Sequence, residues 1–186
     1  SFYSSTVPIF ISPRRVVFLS LRLDIFISIF FGSTKVYMDI SLREVNKDNW
    51  LDIIHLEITE EQENYVALNS ESIAESSFYP HYVNRAIYRG DKAVGFIQYY
   101  QELEENLPDE FYIAQFMVDV KHQGQGIGKI ATEQVIKEMS AIPECKRITI
   151  LYMPGHHAMR KFYSQFGFVV TEEDENDGVV MELNVR

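Results

Sequence analysis

From Met38 onward, apolar residues recur at two spacings, alternating as in strands or returning every three or four positions as in helices. Three alternating stretches are predicted to be strands: residues 38–45, 82–88 and 93–100. The last two flank the turn 89–92, which predicts a hairpin. Helical spacing predicts one helix over residues 50–56, capped by Asn46 or Asp48, and a second from residue 60 to about residue 77.

The second half of the chain continues with strands and helices in alternation. After an acidic loop at 102–110, the predicted elements are a buried strand at 111–118, a helix at 130–139, a strand at 147–153, a helix through 158–163, and strands at 167–170 and 179–185 around a polar turn. A right-handed crossover helix joins the first two of these strands, so we expect them to be parallel. The order predicts an α/β domain with a mixed sheet.

The most informative stretch is the turn between strand 111–118 and the helix after it. It contains Gly124, Gly126 and Gly128, and glycines allow a positive φ and a close approach of main chain to a ligand. Free N–H groups at a helix N-terminus attract anions. We interpret this turn as a cradle for a diphosphate, and the alternative is a tight turn without a ligand.

Two common phosphate loops do not fit this turn. A Walker loop requires Ser or Thr after its lysine, but Lys129 is followed by Ile130. The dinucleotide fingerprint G-x-G-x-x-G requires two residues between its last two glycines, but only Ile127 separates Gly126 from Gly128. The spacing that does occur, Gln123-x-x-Gly126-x-Gly128, resembles the acetyl-CoA loop Q/R-x-x-G-x-G/A of the GNAT superfamily of N-acetyltransferases.

A second stretch supports the same resemblance. Residues 158–168 are similar to the family segment A-x-x-x-(L/F)-Y-x-x-x-G-F and follow a strand, about 35 residues after the loop. One departure is Gly155, where many members have an Asn that touches the pantetheine region. The resemblance covers residues 38–186 and implies a central mixed sheet of about six or seven strands flanked by about four helices.

Within the superfamily, the chain resembles bacterial spermine/spermidine acetyltransferases in the segments 62–66 and 145–148. This resemblance implies direct transfer of acetyl from acetyl-CoA to a primary amine of a polyamine. Two alternatives remain open from the sequence. One is a GNAT enzyme for another acceptor, such as a protein N-terminus, an amino acid or a drug, and the other is a non-catalytic CoA-binding module.

The resemblance also implies which residues hold the cofactor: Phe116, Met117, Val118, Gln123, Gly124, Gln125, Gly126, Ile127, Gly128, Lys129, His156 and Tyr163. By family likeness, Tyr163 donates a proton to the leaving thiolate, whereas the alternative is an aromatic core residue. Main-chain N–H groups near residues 116–118 are expected to stabilise negative charge on the acetyl oxygen.

Acidic residues are the candidates for the acceptor side. Glu102 and Glu104 follow the hairpin strand, and we expect them to bind the amine or to relay its proton, although a solvated loop explains them equally well. Further substrate-binding candidates are Glu57, Glu61 and Tyr65. A general-base role for His156 or His157 is the rival hypothesis, less favoured than a surface or cofactor contact.

Composition and charge narrow the class of protein. The chain has a net charge of −10, and residues 38–186 alone carry 13 basic against 26 acidic residues. This balance argues against a nucleic-acid partner and agrees with a cationic substrate or with solubility alone. The single cysteine, Cys145, excludes an internal disulfide and suits a reducing, cytoplasmic compartment. No spacing of ligand residues indicates a metal site.

The first 37 residues differ from the remainder. Their apolar run at 16–31 is interrupted by Arg22 and Asp24, so we predict neither a membrane span nor a signal peptide. We interpret residues 1–37 as an extension without a function of its own and residues 38–186 as the N-acetyltransferase domain. Exposed strands near the C-terminus make a homodimer conceivable.

Overall fold

A computed structural model describes residues 38–154, 157–174 and 178–185 of the chain. The predicted extension at 1–37, together with Gly155 and His156, lies outside the described residues. In the part that is described, no helix combines the length and the apolar character needed to cross a membrane.

The described residues form a seven-stranded sheet with helices on both faces. The elements are β1 (Ile40–Glu44), α1 (Trp50–Ile54), α2 (Asn69–Glu75), β2 (Val83–Arg89), β3 (Lys92–Glu102), β4 (Leu107–Val118), α3 (Ile127–Ser140), β5 (Arg147–Tyr152), α4 (His157–Ser164), β6 (Val169–Asp174) and β7 (Gly178–Asn184). The strand order is β1-β2-β3-β4-β5-β7-β6. Only β4 and β5 pair in parallel, as predicted, and all other pairs are antiparallel.

Each face of the sheet buries its own apolar cluster. Successive strand residues point to opposite faces, and neighbouring Phe96 and Ile97 accordingly belong to different clusters. Phe96 packs in a smaller cluster with Ile53 of α1, whereas Ile97 packs in the larger cluster with residues of α3, such as Val135, and of α4, such as Tyr163. The mixed sheet therefore separates α1 and α2 from α3 and α4.

The predicted helix over residues 60–77 is wrong in extent. The chain instead makes one 3-10 turn at Gln62–Asn64, becomes extended at Leu68, and enters α2 only at Asn69. Helical propensity is overridden because the buried Gln115 of β4 donates a hydrogen bond of 2.8 Å to the main-chain oxygen of Ala67.

The predicted acidic loop at 102–110 is also shorter than expected, because β3 continues to Glu102 and β4 begins at Leu107. Carboxylates are tolerated at the start of β4 because they meet basic residues on the adjoining strand. Lys146 pairs with Asp109 at 2.9 Å, and Arg147 forms an ion pair with Glu110. Similarly, β6 extends to Asp174, into the predicted polar turn.

The capping prediction for the first helix is corrected as well. Asn49 occupies the position before α1 and makes no side-chain cap, and helix α1 ends at Ile54 rather than at residue 56. The Oδ1 atom of Asn46 accepts a hydrogen bond of 2.9 Å from the main chain of Asp48, which stabilises the preceding turn.

Helix α3 is fixed to the sheet by a partly buried charged group. The Glu138 carboxylate accepts hydrogen bonds from the Tyr99 hydroxyl at 2.7 Å and from Arg85 Nε at 2.8 Å. Tyr99 is only 2% exposed, and burial followed by the carboxylate charge raises its pKa. These bonds join β2 and β3 to the helix whose N-terminus follows the glycine-rich turn.

Replacing Tyr99 by Phe should therefore destabilise the fold. A hydrogen bond to a charged group contributes roughly 1.5–3 kcal/mol, and we expect the free energy of unfolding in urea to fall by about that amount. Tyr79→Phe, at a ring that is 38% exposed, is the matched control and should change it by less than about 0.5 kcal/mol. Equal stability of Tyr99→Phe and wild type would contradict the assigned role.

Candidate functional site

The site begins where β4 and β5 stop pairing. Their parallel register contains only three pairs, Glu110 with Arg147, Phe111 with Ile148 and Tyr112 with Thr149. Beyond these pairs β4 continues to Val118 and β5 to Tyr152. The two strands thus form the walls of a cleft, and within the described residues the main chain of β4 beyond Tyr112 no longer pairs with β5.

A bulge in β4 shapes the same wall. In the pairing of β3 with β4, Gln98 lies opposite Gln115 and Tyr99 lies opposite Ile113, so Ala114 has no opposite residue. Bulges of this kind bend a strand and redirect its side chains. The exposed Ala114 consequently lies on the cleft wall.

The cleft encloses a cavity of about 740 Å³. Its lining comes from both strands, the glycine-rich turn, α4 and the segment before α2, and it includes Ile58, Gln62, Tyr65, Val66, Ala67, residues 113–118, His122, Gln123, Gly124, residues 126–129, residues 150–153, Ala158, Met159, Phe162, Tyr163 and Gln165. Both ring nitrogens of His122 are buried without a hydrogen-bond partner among the described residues.

The glycine-rich turn places the start of α3 at this cavity. Gly126 precedes the helix with φ of 82°, and Gly124 has φ of 71°, both in the left-handed region. A Cβ on Gly128 would lie 3.3 Å from Cζ of Phe116. The turn therefore requires glycine for its backbone and for close packing, and it brings free helical N–H groups to the cavity.

These features fit a coenzyme with a diphosphate. The helix N-terminus and its glycines suit a diphosphate, and the long cleft beside β4 suits an extended arm. Residues 124–129 would hold the diphosphate, and residues 116–118 would lie along the arm.

A buried polar network fixes the opposite wall of the cavity. The Gln115 side-chain amide, 5% exposed, donates to Asn69 Oδ1 at 2.7 Å and accepts from Ser72 Oγ. Asn69 in turn donates to the main-chain oxygen of Ile53 at 2.8 Å. Satisfied buried networks specify one arrangement, so the start of α2 has a defined position over β4.

Tyr163 lies on α4 at the cavity and is 4% exposed. Its ring packs against Phe162 and Phe168, with centroids 5.1 and 5.5 Å away. Burial raises the pKa of its hydroxyl above the ordinary value of 10, and Tyr112 acts in the same direction. Burial thus keeps the phenol protonated at neutral pH and makes it a weaker acid than a free tyrosine, and the same ring also serves as core.

Three tyrosines form a row at the end of the sheet. The rings of Tyr82 and Tyr100 stack at 4.2 Å, and Tyr112, opposite Tyr100 on β4, follows at 5.4 Å. Burial and then the negative charge of Glu102 raise the pKa of Tyr112 to about 12. Tyr112 is the last residue of β4 that pairs with β5, and neither Tyr112 nor Glu102 is among the lining residues of the cavity.

The structure brings most predicted cofactor contacts together. Those that line the cavity are Phe116, Met117, Val118, Gln123, Gly124, Gly126, Ile127, Gly128, Lys129 and Tyr163. Gln125 is not among the lining residues, because its side chain bonds to Arg89 at 2.7 Å and to the main chain of Lys121 at 3.2 Å.

The predicted acceptor residues are more scattered. Tyr65 lines the cavity, whereas Glu57, Glu61, Glu102 and Glu104 do not. Glu57 pairs with Lys121 at 2.8 Å, Glu104 lies 3.2 Å from Nε2 of His81, and Glu61 is exposed.

Sequence reasoning missed several lining residues. Gln62 and Gln115 were not assigned a role, and neither was Phe162, which packs on Phe116 at 6.0 Å. Phe162 could have been found from its place beside Tyr163 in the second motif. Gln115 gave no local signal, because its partners are up to 48 residues away in sequence.

Comparison with known proteins agrees with this geometry. The sequence profile of the acetyltransferase (GNAT) family matches residues 44–168. The chain is similar to the spermine/spermidine N(1)-acetyltransferase of Bacillus subtilis strain 168, with 27% identity over 145 residues, which cover 76% of this chain and 95% of that relative. The probable spermine N(1)-acetyltransferase of Bacillus subtilis subsp. natto matches with the same identity and coverage.

Solved structures share the fold. The aminoglycoside acetyltransferase AAC(6')-Ib in complex with coenzyme A has a TM-score of 0.61 at 14% identity, over 78% of this chain and 95% of that one. The ribosomal-protein-S18-alanine N-acetyltransferase from Escherichia coli has a TM-score of 0.60 at 18% identity, over 78% and 94%. At these identities the likeness shows the fold alone, and it is the predicted fold.

Replacing Gly126 by Val should weaken CoA binding. A β-branched residue is strained at φ of 82°, and turning the loop out of this conformation would misdirect its N–H groups. We expect the dissociation constant for CoA, measured by calorimetry, to rise by roughly tenfold or more, equivalent to about 1.4 kcal/mol.

Gly90→Val provides the matched control, because Gly90 has φ of 59° in the hairpin turn between β2 and β3. It should incur similar backbone strain and leave CoA affinity unchanged. If both variants bind CoA like wild type, the glycine-rich turn is not the diphosphate site.

Proposed function

This chain belongs to the GNAT family of acetyltransferases, and we propose that its acceptor is a primary amine of a polyamine such as spermidine or spermine. The enzyme is an acetyl-CoA-dependent N-acetyltransferase. The observation that carries the acceptor assignment is the similarity to two spermine or spermidine acetyltransferases over 95% of their length.

The charge of the domain supports this acceptor class. Residues 38–186 carry twice as many acidic as basic residues, which attracts polycations over long range. Glu102 and Glu104 supply negative charge beside the tyrosine row, and the exposed Glu61 supplies it next to Gln62 of the cavity wall. Since Glu102 and Glu104 are not among the lining residues, we propose that they draw in the acceptor and take up the amine proton through a relay rather than by direct contact.

Proton transfer sets the chemical demand on the site. An alkylammonium has a pKa near that of lysine, about 10.4, so the amine must lose a proton before it can attack. Acetyl-CoA, when bound, supplies the activated acyl group. The protonated Tyr163 phenol would donate a proton to the leaving sulfur, and main-chain N–H groups of β4 near residues 116–118 would stabilise charge on the acetyl oxygen.

We also propose a cytoplasmic location and a homodimeric assembly. A chain with one cysteine, the buried Cys145, has no internal disulfide, which agrees with the proposed cytoplasmic location. The sheet ends at β6, whose Val169 is 57% exposed, and this edge supports a homodimer.

Tyr163→Phe should lower turnover by roughly 10²–10⁴-fold, the range for general acid catalysis. The substitution removes the hydroxyl and keeps the packed ring, so calorimetry should give nearly the same CoA affinity. Because the pKa of Tyr163 is raised, wild-type turnover should not lose this donor as the pH rises toward 10. If Tyr163→Phe turned over as fast as the unmodified enzyme, Tyr163 would be a core residue without a role as proton donor.

A panel of amines tests the acceptor. The full chain is incubated with acetyl-CoA and with spermidine, spermine, kanamycin or an alanine-initiated peptide, and release of free CoA thiol is followed. We expect kcat/KM for spermidine or spermine to exceed that for the other acceptors at least tenfold. Faster release with kanamycin or with the peptide would replace the polyamine assignment by that acceptor class.

A further inference from the structure

The acceptor side of the cavity is built from one segment between α1 and α2. Residues 57–68, here called the strap, cross the cavity opposite α4, and Gln62, Tyr65, Val66 and Ala67 of the strap line it. The strap contains only a single 3-10 turn, so its position depends on what holds it from outside.

Both ends of the strap are attached to the sheet side of the molecule. At the first end, the N–H of Glu57 donates to Asp119 Oδ2 at 3.2 Å, and the N–H of Val120 donates to the main-chain oxygen of Glu57 at 2.8 Å. At the second end, Gln115 holds the main-chain oxygen of Ala67. Between these attachments, a side-chain contact also joins the strap to the glycine-rich turn.

That contact joins Gln62 to Gln123. Gln62 Oε1 accepts from Gln123 Nε2 at 2.9 Å and from the N–H of Thr59 at 3.2 Å, so the amide of Gln62 has a defined orientation. Gln123 Nε2 also donates to the main-chain oxygen of Val118 at 2.9 Å. A carboxamide nitrogen has two hydrogens, and both are used inside the protein.

This geometry changes the expected role of Gln123. Both side-chain N–H groups of Gln123 are used within the protein, so the side chain has no N–H left to donate to a diphosphate. The side chain instead connects the end of β4, the glycine-rich turn and the strap.

We propose that Gln123 and Gln62 are positioning residues. Their hydrogen bond ties the strap, which forms the acceptor wall of the cavity, to the glycine-rich turn that binds the diphosphate. Binding of CoA, which immobilises the turn, should then also immobilise the strap, since ordering at one site reduces the cost of ordering at its neighbour. This coupling goes beyond the choice of acceptor and holds for any amine.

Hydrogen exchange of the full chain, with and without CoA, tests the coupling and requires no acceptor. In wild type, we expect CoA to slow exchange in peptides covering residues 57–68 as well as in those covering 119–129. In Gln62→Ala, protection of 119–129 should remain and the CoA-dependent protection of the strap should fall by roughly two- to tenfold, the range for one neutral hydrogen bond.

Three further variants separate the bond from other effects. Gln62→Glu keeps an acceptor oxygen and should restore the protection, and Gln62→Met keeps the length without an acceptor and should behave like Gln62→Ala. Glu63→Ala, at an exposed neighbour in the same 3-10 turn, should match wild type. Equal CoA-dependent protection of the strap in wild type and in Gln62→Ala would overturn the proposal, as would the absence of any strap protection in wild type.

Discussion

Two parallel strands can bond only while they stay about 4.8 Å apart, and β4 and β5 do so for three residue pairs before they separate. This separation is the constraint on which the site depends. Beyond it, the two strands have no ladder pairing with each other among the described residues, and buried main-chain groups in such a gap need a ligand or water as partner. A coenzyme with an extended amide-containing arm meets that requirement.

The two faces of the sheet divide the chemistry between them. Helices α3 and α4 lie on one face and bring the glycine-rich turn and Tyr163 to the cleft. On the other face, α1, the strap and α2 enclose it from the acceptor side, held by Gln115 and its partners. In the proposed function, the cleft between β4 and β5 is where an acyl group held on one side would meet an amine from the other.

The sequence predicted the features that are written locally. The spacing of Gln123, Gly126 and Gly128 and the motif around Tyr163 each occupy a short run of residues, and both motifs line the same cavity. The element order and the parallel pair of strands were predicted from such local patterns as well. Long-range partners could not be read in this way. The helix over 60–77 breaks because Gln115 bonds to Ala67, and β4 starts early because Lys146 and Arg147, at the start of β5, pair with its carboxylates.

The acidic candidates show the same limit. Charge runs were visible in the sequence, but their place relative to the cavity was not: Glu57 pairs with Lys121, and neither Glu57 nor Glu102 lines the cleft. Composition therefore indicated a cationic acceptor without specifying which carboxylate approaches it.

Calorimetric titration with CoA, dephospho-CoA and pantetheine measures the central claim most directly. If the N–H groups of the glycine-rich turn hold the diphosphate, dephospho-CoA, which retains that group, should bind within about tenfold of CoA, and pantetheine, which lacks it, should bind at least roughly a hundredfold more weakly. Binding of pantetheine as tight as that of CoA, or no heat with CoA, would contradict the account.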